Sequence, residues 1–529
     1  MASATTESMT ARLASIVGPE NVVEDLAERT FYSTDIASRG ATALAVVRPG
    51  STDQLSQVLR LCAAENLAVV PRGGGFSYTG GYTPTTPDTV VVDMRGFDEI
   101  VEINEEDMYV RVGAGCTWQA LYETLKARRL RTPYFGPMSG YHATVGGALS
   151  QGSFFLGSTE HGTTAESVLS LEVVLADGQV IHTGSDAAKG RTPFYRFFGP
   201  DLTGLFLADT GAMGFKTVAT LKLIQAPASQ AYGSFAFPDG QATIAALSDI
   251  ARAGLAGEAY AWDPHFVKVM SEATTGTRQD LRFLWGVFRA SAGLVDGLSA
   301  CLRIAVNGKK VFRPATHIVQ VMMDDLSAAG AANRLKQVRA IAIRHGGEEL
   351  APSVPRATRG TPFTPFNVPE RRSTLRNLPV NSLYPHSRAQ GALRAIRAVF
   401  EEEREAMERH GVTSGTVFFA VGRTALCIEP LLYWQDEEHY LHNRIEQRSD
   451  LEALADYDER PEATRYVMQL REKLKQVMKA NGAVHVQIGK SYQYLPELEP
   501  RVAELVHAVK AAVDPQYRVN PGSLGLTRK

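Results

Sequence analysis

Residues 71–81, with the sequence PRGGGFSYTGG, hold five glycines in eleven residues. They directly follow the apolar run 67–70 (LAVV), which is typical of a buried strand. Glycine adopts positive φ angles and exposes its backbone to a ligand, and successive N–H groups can form a concave anion site. The segment predicts a phosphate-binding loop for a nucleotide cofactor, although a glycine-rich surface turn without a ligand has the same composition.

Two common nucleotide motifs are absent from this segment. No Gly-Lys-Ser/Thr follows the glycines, as a Walker A loop requires, and Tyr78 stands where the third glycine of a GxGxxG fingerprint would fall. Two further glycine-rich segments occur, 136–152 with its continuation 157–162, and 208–215. Because three such segments are hard to explain as unrelated turns, we expect them to line one extended ligand.

The elements that must position these loops are indicated by apolar periodicity. Residues 53–67 predict a helix, with its apolar positions at i, i+3, i+4 and i+7. The order of strands and helices around it is the β-α-β order of an α/β unit. The elements predicted elsewhere are strands at 45–49, 67–71, 88–93, 108–112, 170–178 and 216–223, and helices at 117–129 and 464–480.

Length and composition limit the class of protein. A chain of 529 residues is too long for one hydrophobic core, so two or three domains are expected. The net charge of −2 gives no electrostatic case for nucleic acid or an anionic membrane as a partner. The four cysteines form no CxxC pair, and we predict no metal site. Without a signal peptide or an apolar run of membrane-spanning length, a cytoplasmic enzyme is expected.

Several short motifs occur in a fixed order along the chain: the glycine segment 71–81, TVGG at 144–147, HGTT at 161–164, LEVVLADG at 171–178, DLTGLF at 201–206 and NPG at 520–522. In this order they resemble the motifs of the FAD-linked oxidases. This superfamily includes vanillyl-alcohol oxidase, p-cresol methylhydroxylase, and the D-lactate and glycolate dehydrogenases. The resemblance covers nearly the whole chain and is strongest over 41–226 and 481–526.

The resemblance implies an α+β fold with FAD as the cofactor. A two-lobed FAD-binding domain of the p-cresol methylhydroxylase type would occupy residues 1–227, with its core at about 41–226. An α+β cap that covers the flavin would occupy 228–480, and 481–529 would return to the FAD domain. The implied FAD contacts are Arg72, Gly73, Gly74, Gly75, Phe76, Ser77, Thr144, Gly146, Gly147, Ser150, Gly157, His161, Gly162, Gly211, Gly214, Phe215 and Asn520.

The mode of FAD attachment and the substrate side depart from the family patterns. Some relatives attach FAD through a histidine where this chain has Phe76, and others through a cysteine where it has His142. We therefore expect non-covalent FAD, with attachment to His142 as the alternative. Of the family's phenolate-binding residues, only Tyr78 has a counterpart, since the Tyr-Arg pair falls on 484–485 and the aspartate falls on Ser150. The histidine cluster of the hydroxy-acid dehydrogenases is not found either.

Oxidation of an alcohol carbon needs a base for the hydroxyl proton, and histidine is suited to this role near neutral pH. His485 is the first candidate, although a buried histidine within a strand at 483–488 is an equal alternative. Tyr492 is a second candidate, with aromatic packing as its alternative. Arg423 lies among apolar neighbours and would need a partner if buried, either Glu429 or an acidic substrate.

These residues and the resemblance predict an FAD-dependent oxidoreductase that acts on an alcohol or a 2-hydroxy acid by hydride transfer to flavin N5. A phenolic oxidase or hydroxylase acting on 4-alkylphenols or benzylic alcohols is one alternative. A flavoprotein that only carries electrons to a partner is another. The substrate would be a small organic molecule, the electron acceptor O2, a quinone or a cytochrome, and the assembly a homodimer.

Overall fold

The computed structural model describes residues 8–273, 284–288, 313, 316–363, 375–436 and 460–528. Within these ranges the helices are α1 Met9–Val17, α2 Leu26–Tyr32, α3 Thr52–Ala64, α4 Trp118–Ala127, α5 Val145–Gln151, α6 Ser158–His161, α7 Gly240–Ala253, α8 Pro264–Ala273, α9 Ala328–Arg344, α10 Ser353–Gly360, α11 His386–Glu402, α12 Arg404–His410, α13 Pro461–Ala480 and α14 Pro500–Val513. No helix in the described ranges is both long and apolar enough to cross a bilayer.

The strands are β1 Val22–Val23, β2 Ala45–Val47, β3 Ala68–Arg72, β4 Thr89–Asp93, β5 Ile100–Asn104, β6 Tyr109–Gly113, β7 Leu130–Arg131, β8 Val168–Val174, β9 Val180–His182, β10 Phe215–Lys222, β11 Ile224–Gln225, β12 Ser229–Phe237, β13 Glu258–Trp262, β14 His317–Asp325, β15 Glu348–Leu350, β16 Leu375–Pro379, β17 Leu383–Pro385, β18 Thr413–Val421 and β19 Ala425–Gln435. The mixture of helices and sheets is the predicted α+β class.

A four-stranded sheet with the order β1-β2-β4-β3 opens the fold. Strands β2 and β3 both run parallel to β4, so the helix that connects them, α3, packs on the sheet. Ser51 caps α3 by accepting a hydrogen bond from the Gln54 N–H, and Leu55, Val58, Leu59 and Cys62 are buried. The first glycine segment begins where β3 ends.

A five-stranded antiparallel sheet with the order β5-β6-β10-β8-β9 holds the other two glycine segments. The second segment follows β6 and α4, and the third leads directly into β10. Their positions follow from the chain order of these strands, whose predicted bounds differ from the observed ones by a few residues. The two sheets therefore place all three glycine segments in one region of the fold.

An eight-stranded antiparallel sheet with the main order β15-β12-β14-β13-β18-β19-β16 makes up the middle of the chain. Alternate side chains of β13 point to opposite faces. Ala259 and Ala261 pack in the core under helices α7, α9, α11 and α13, whereas Tyr260 and Trp262 join a second cluster with Phe155. The aromatic face of this large sheet therefore covers the glycine-rich region.

Residues after α13 return to the first sheet. Val519 forms a parallel bridge with Val69, and the Asn520 N–H donates to the Val69 carbonyl at 2.8 Å. The strand predicted at 483–488 does not form. Val484 makes an isolated bridge to Leu383, and Gln487 has a φ of 53°, which breaks an extended run.

Candidate cofactor and active site

The three glycine segments meet around one cavity of about 450 Å³. This arrangement follows the expectation from the sequence that the segments line one ligand. The cavity extends from the glycine loops to the aromatic face of the large sheet. Of the residues predicted to contact ligand, those that line it are Gly73, Gly74, Gly75, Phe76, Ser77, Tyr78, Thr144, Gly146, Gly147, Ser150, Gly211 and Gly214.

The glycines allow the loops to touch each other. A Cβ placed on Gly74 would lie 2.1 Å from the carbonyl oxygen of His142, and one on Gly73 would lie 2.3 Å from Thr144 Oγ1. Likewise, a Cβ on Gly211, whose φ is +69°, would lie 2.7 Å from Pro71 Cγ. Contact between the loops therefore requires glycine at these positions. This requirement is separate from the close approach of a ligand, which glycine also allows.

Backbone donors at the first loop fit a diphosphate. Within the described part of the chain, the N–H groups of Gly74, Gly75, Phe76 and Ser77 have no backbone or side-chain acceptor. Gln151 also lines the cavity, and its buried Oε1 has no hydrogen-bond partner among the described residues. Consecutive free N–H groups beside a glycine-walled cavity are suited to the pyrophosphate of FAD.

The opposite wall of the cavity is aromatic. The ring centroids of Phe154 and Phe419 lie 5.5 Å apart in an edge-to-face contact, and those of Phe155 and Tyr260 lie at the same distance. Trp262 and Phe266 extend this wall, with centroids 5.4 Å apart. Such a wall excludes water and offers flat surfaces to an organic substrate.

Glu429 is the acidic side chain on this wall, and sequence reasoning missed its catalytic potential. It lies on β19, is half-buried and lines the cavity. Its carboxyl makes no hydrogen bond to any described residue, and burial raises its pKa to about 7. A carboxylate with such a pKa can accept a substrate proton near neutral pH. The signal in the sequence is a single acid within the apolar strand ALCIEPLLYW.

Lys216 and Asp209 shape the third loop and were also missed. Lys216 Nζ lies 2.8 Å from Asp209 Oδ1 in a buried ion pair at the cavity. The same carboxylate accepts hydrogen bonds from the N–H groups of Gly211 and Met213. Asp209 therefore holds the backbone of this loop in place, and Lys216 compensates its charge.

Several residues predicted to contact FAD lie outside the cavity wall: Arg72, Gly157, His161, Gly162, Phe215 and Asn520. The Arg72 guanidinium is buried 4.7 Å from the ring centroid of Tyr32 and 5.1 Å from that of Tyr82. Phe215 is part of the core of the first sheet. The Gly157 N–H donates to Glu258 at 2.8 Å, which ties this turn to the large sheet. These contacts give the residues structural roles, and their contact with FAD stays a prediction.

His161 and Gly162 also lie outside the cavity wall. His161 ends the short helix α6, and burial lowers its pKa. Gly162 follows with a φ of 78°, a conformation that turns the chain after the helix. The His142 ring stacks on Phe76, with centroids 4.9 Å apart and planes 6° from parallel, and it does not line the cavity. This packing favours non-covalent attachment of FAD.

Asn520 connects the first and third glycine segments through hydrogen bonds. Its Nδ2 donates to the carbonyl oxygens of Gly81 and Thr210, at 2.7 and 2.6 Å. Its Oδ1 accepts a hydrogen bond from Lys490 Nζ at 2.8 Å. One buried amide therefore fixes the distance between the first and third glycine segments.

Replacement of Asn520 by alanine is expected to leave two buried carbonyl groups unpaired and to lower the free energy of unfolding by about 2–4 kcal/mol. FAD affinity should fall with it, because the loops lose their common partner. Differential scanning calorimetry and FAD titration measure both effects. Asn481→Ala is the control, since the Asn481 side chain bonds only to Val477 within the described residues. Unchanged FAD affinity in Asn520→Ala would remove this positioning role.

Of the predicted catalytic residues, Tyr78 lines the cavity and the others do not. Arg423 is exposed in the turn between β18 and β19. Tyr492 is buried, and its hydroxyl accepts the Asn381 N–H at 2.9 Å. The His485 ring stacks on Tyr492 with centroids 4.3 Å apart, and its Nδ1 lies 2.7 Å from the Asn381 carbonyl oxygen. Burial lowers the pKa of His485.

His485→Ala is accordingly expected to change the rate of flavin reduction by less than about threefold, because the ring is packed outside the cavity. The loss of its stacking contact should lower the free energy of unfolding by about 1 kcal/mol. Anaerobic stopped-flow absorbance and thermal unfolding measure the two effects. A tenfold or greater fall in the reduction rate, with stability unchanged, would return His485 to the mechanism.

Comparison with known proteins agrees with this geometry. A family model described as an FAD binding domain matches residues 43–184. Glycolate oxidase subunit GlcD of Bacillus subtilis is 31% identical over 246 residues, which are 46% of this chain and 51% of that protein. The probable mitochondrial D-lactate dehydrogenase of Danio rerio is 31% identical over 253 residues, 48% of this chain and 50% of that protein. The chain thus spans about half the length of these relatives.

The fold resembles that of solved structures over nearly the whole length of the chain. A structure of p-cresol methylhydroxylase with substrate bound aligns with a TM-score of 0.73 at 17% identity, covering 98% of this chain and 96% of that one. The 4-ethylphenol oxidase of Gulosibacter chungangensis aligns with a TM-score of 0.71 at 15% identity, covering 98% and 97%. The matched FAD binding domain identifies the chain as an FAD-binding protein, and the glycine-lined cavity agrees with this class. The resemblance to the FAD-linked oxidase superfamily is confirmed, and FAD is the cofactor.

Proposed function

We propose that this chain is an FAD-dependent oxidoreductase that oxidises a carbon bearing a hydroxyl group, in an alcohol or a 2-hydroxy acid. The observation that carries the proposal is one cavity whose glycine wall suits FAD and whose aromatic wall bears Glu429. The relatives named as glycolate oxidase and D-lactate dehydrogenase, which match about half their length, support the same class of reaction.

Each half of the cavity has its own task in this proposal. The glycine loops bind the diphosphate through free N–H groups, and the aromatic wall orients the substrate and excludes water. The Glu429 carboxylate accepts the hydroxyl proton as the carbon–oxygen double bond forms. The chemistry that FAD supplies when bound is acceptance of the hydride from the same carbon. Tyr78, which lines the cavity, is proposed to contact the substrate.

Phenolic substrates, such as 4-alkylphenols or benzylic alcohols, form the second candidate class. The aromatic wall favours them, because planar rings stack on Phe, Tyr and Trp side chains. In addition, Lys216, which lines the cavity, is paired with Asp209. Its charge is therefore already compensated and offers little attraction to the carboxylate of a 2-hydroxy acid. The same Glu429 would accept a proton during oxidation of a benzylic carbon.

Anaerobic mixing of the FAD-loaded protein with a series of 2-hydroxy acids, and separately with 4-alkylphenols and benzylic alcohols, tests the proposal. Bleaching of the flavin absorbance by one series supports the oxidoreductase and selects the substrate class. Re-oxidation by air, a quinone or a cytochrome then identifies the acceptor. A flavin that is bleached by dithionite, but by neither series, would contradict the proposal and favour an electron carrier.

A further inference from the structure

A group of large apolar side chains is exposed on the segment between β9 and β10. Phe194, Tyr195, Phe197, Phe198 and Leu202 are each more than half exposed, at 51–62%. The ring centroids of Phe194 and Tyr195 lie 6.3 Å apart, and those of Tyr195 and Phe197 lie 6.1 Å apart. We call residues 194–205 the aromatic segment. It lies outside the cavity and serves no step of the proposed reaction.

The aromatic segment is held in place although its rings face solvent. Ser185 Oγ donates to the Thr192 carbonyl at 2.6 Å and accepts the Tyr195 N–H at 3.2 Å. Arg196 pairs with Asp201 at 2.8 Å and donates to the Ala165 carbonyl at 2.6 Å. The rings are therefore presented on a backbone that needs little further ordering, which lowers the entropic cost of binding a partner.

The area of the segment agrees with one side of a protein interface. Half-exposed aromatic side chains of roughly 200 Å² each, with the exposed leucine, give about 500 Å² of apolar surface. This is at the upper end of the largest patch of a typical monomer. If the patch met its own copy, about 1,000 Å² would be buried before any polar rim is counted, which reaches the threshold for a specific interface.

We propose that the aromatic segment is the centre of a two-fold interface between two copies of this chain. A two-fold axis through the patch lets each aromatic ring meet aromatic rings of the partner, as isologous interfaces require. The charge of Arg196 is compensated by Asp201, so it does not oppose self-contact. A lipid surface is the alternative occupant, and binding of the monomer to vesicles is the outcome that would select it.

Sedimentation velocity of the FAD-loaded protein tests this interface. The wild type should sediment as a dimer of the 57.5 kDa chain at micromolar concentration. Phe197→Asp should weaken self-association by at least about thirtyfold, as for a hot-spot aromatic residue. Leu505→Asp is the matched control, since Leu505 is 63% exposed on α14, away from the aromatic segment in sequence, and it should remain dimeric. The bound-flavin spectrum reports that each variant is folded.

A second measurement avoids introducing a charged side chain, which could itself destabilise the fold. In a Cys301→Ser background, Phe198→Cys should be cross-linked to a covalent dimer by a short bis-maleimide, whereas the Cys301→Ser parent under the same conditions should not be. Cys62, Cys116 and Cys427 are buried, and the fourth cysteine is removed, so the introduced thiol is the accessible one. A wild type that stays monomeric, a Phe197→Asp variant that stays dimeric, or a monomer that binds lipid vesicles through this segment would each overturn the proposal.

Discussion

Glutamine in place of Glu429 is expected to slow flavin reduction by substrate at least about 100-fold, the usual contribution of a general base. FAD should stay bound, because Glu429 lies on the aromatic wall and not among the glycine loops. The measurement is anaerobic stopped-flow absorbance with whichever substrate bleaches the wild-type flavin. Glu401→Gln, on the exposed face of α11, is the control and should reduce at the wild-type rate.

The pH dependence gives a second readout of the same residue. Only the ionised carboxyl can take the proton, and burial holds its pKa at about 7, so the wild-type rate of reduction should rise as pH increases through about 7. The Glu429→Gln rate should lack this step. A Glu429→Gln variant that keeps both the rate and the pH step would show that another group is the base.

Glu429→Gln should lower the rate of flavin reduction without lowering the stability of the folded chain. The pKa of Glu429 in the folded chain is raised above its ordinary value of 4.5, so its neutral form is favoured by folding. Its contribution to stability is complete below about pH 4.5 and is lost as pH rises through about 7. Above that pH, Glu429→Gln should melt at or above the wild-type temperature. Slow reduction in a variant at least as stable as the wild type therefore cannot result from misfolding.

Alanine in place of Gly74 is expected to reduce FAD affinity by at least about 100-fold, or to give a colourless protein. The new Cβ would lie 2.1 Å from the His142 carbonyl oxygen, so the first and second loops must separate. A displacement of about 1 Å in a preorganised site has effects of this size. FAD fluorescence titration of the apoprotein measures the change.

Gly391→Ala is the matched control for this substitution. Gly391 lies within α11, and the nearest atom to its added Cβ is 3.8 Å away. Alanine should therefore keep FAD affinity unchanged and stabilise the helix by about 0.5–1 kcal/mol. Tight FAD binding by Gly74→Ala would mean that the loops tolerate separation, and that the glycines are not required for their contact.

Much of the fold was predictable because its elements carry local periodicity. The apolar spacing of α3 and the glycine breaks after β3 depend only on neighbouring residues. The run 483–488 shows where this fails: its alternation of apolar and polar residues is that of a strand, yet only Val484 finds a bridge partner and Gln487 adopts a positive φ. A strand needs a neighbour along its whole length, and the local sequence does not show whether one is present.

The substrate side was less predictable, because it depends on contacts between distant segments. The catalytic potential of Glu429 arises only when β19 turns that side chain toward loops far away in the sequence. Arg423 was predicted to lie among apolar neighbours, but it sits in the tight turn of a hairpin and is exposed. His485 was assigned through family position, and the packing of its ring on Tyr492 removes it from the cavity.

The hydrogen bonds of Asn520 determine when, during synthesis of the chain, the FAD site can be completed. Its partner carbonyl at Gly81 is 439 residues earlier in the chain. At about 5–20 residues per second, translation needs about 20–90 s to pass from one to the other. During this time the first and third glycine segments lack the side chain that joins them. The FAD site is therefore incomplete while the chain between Gly81 and Asn520 is being translated. We expect uptake of the cofactor to follow synthesis of Asn520.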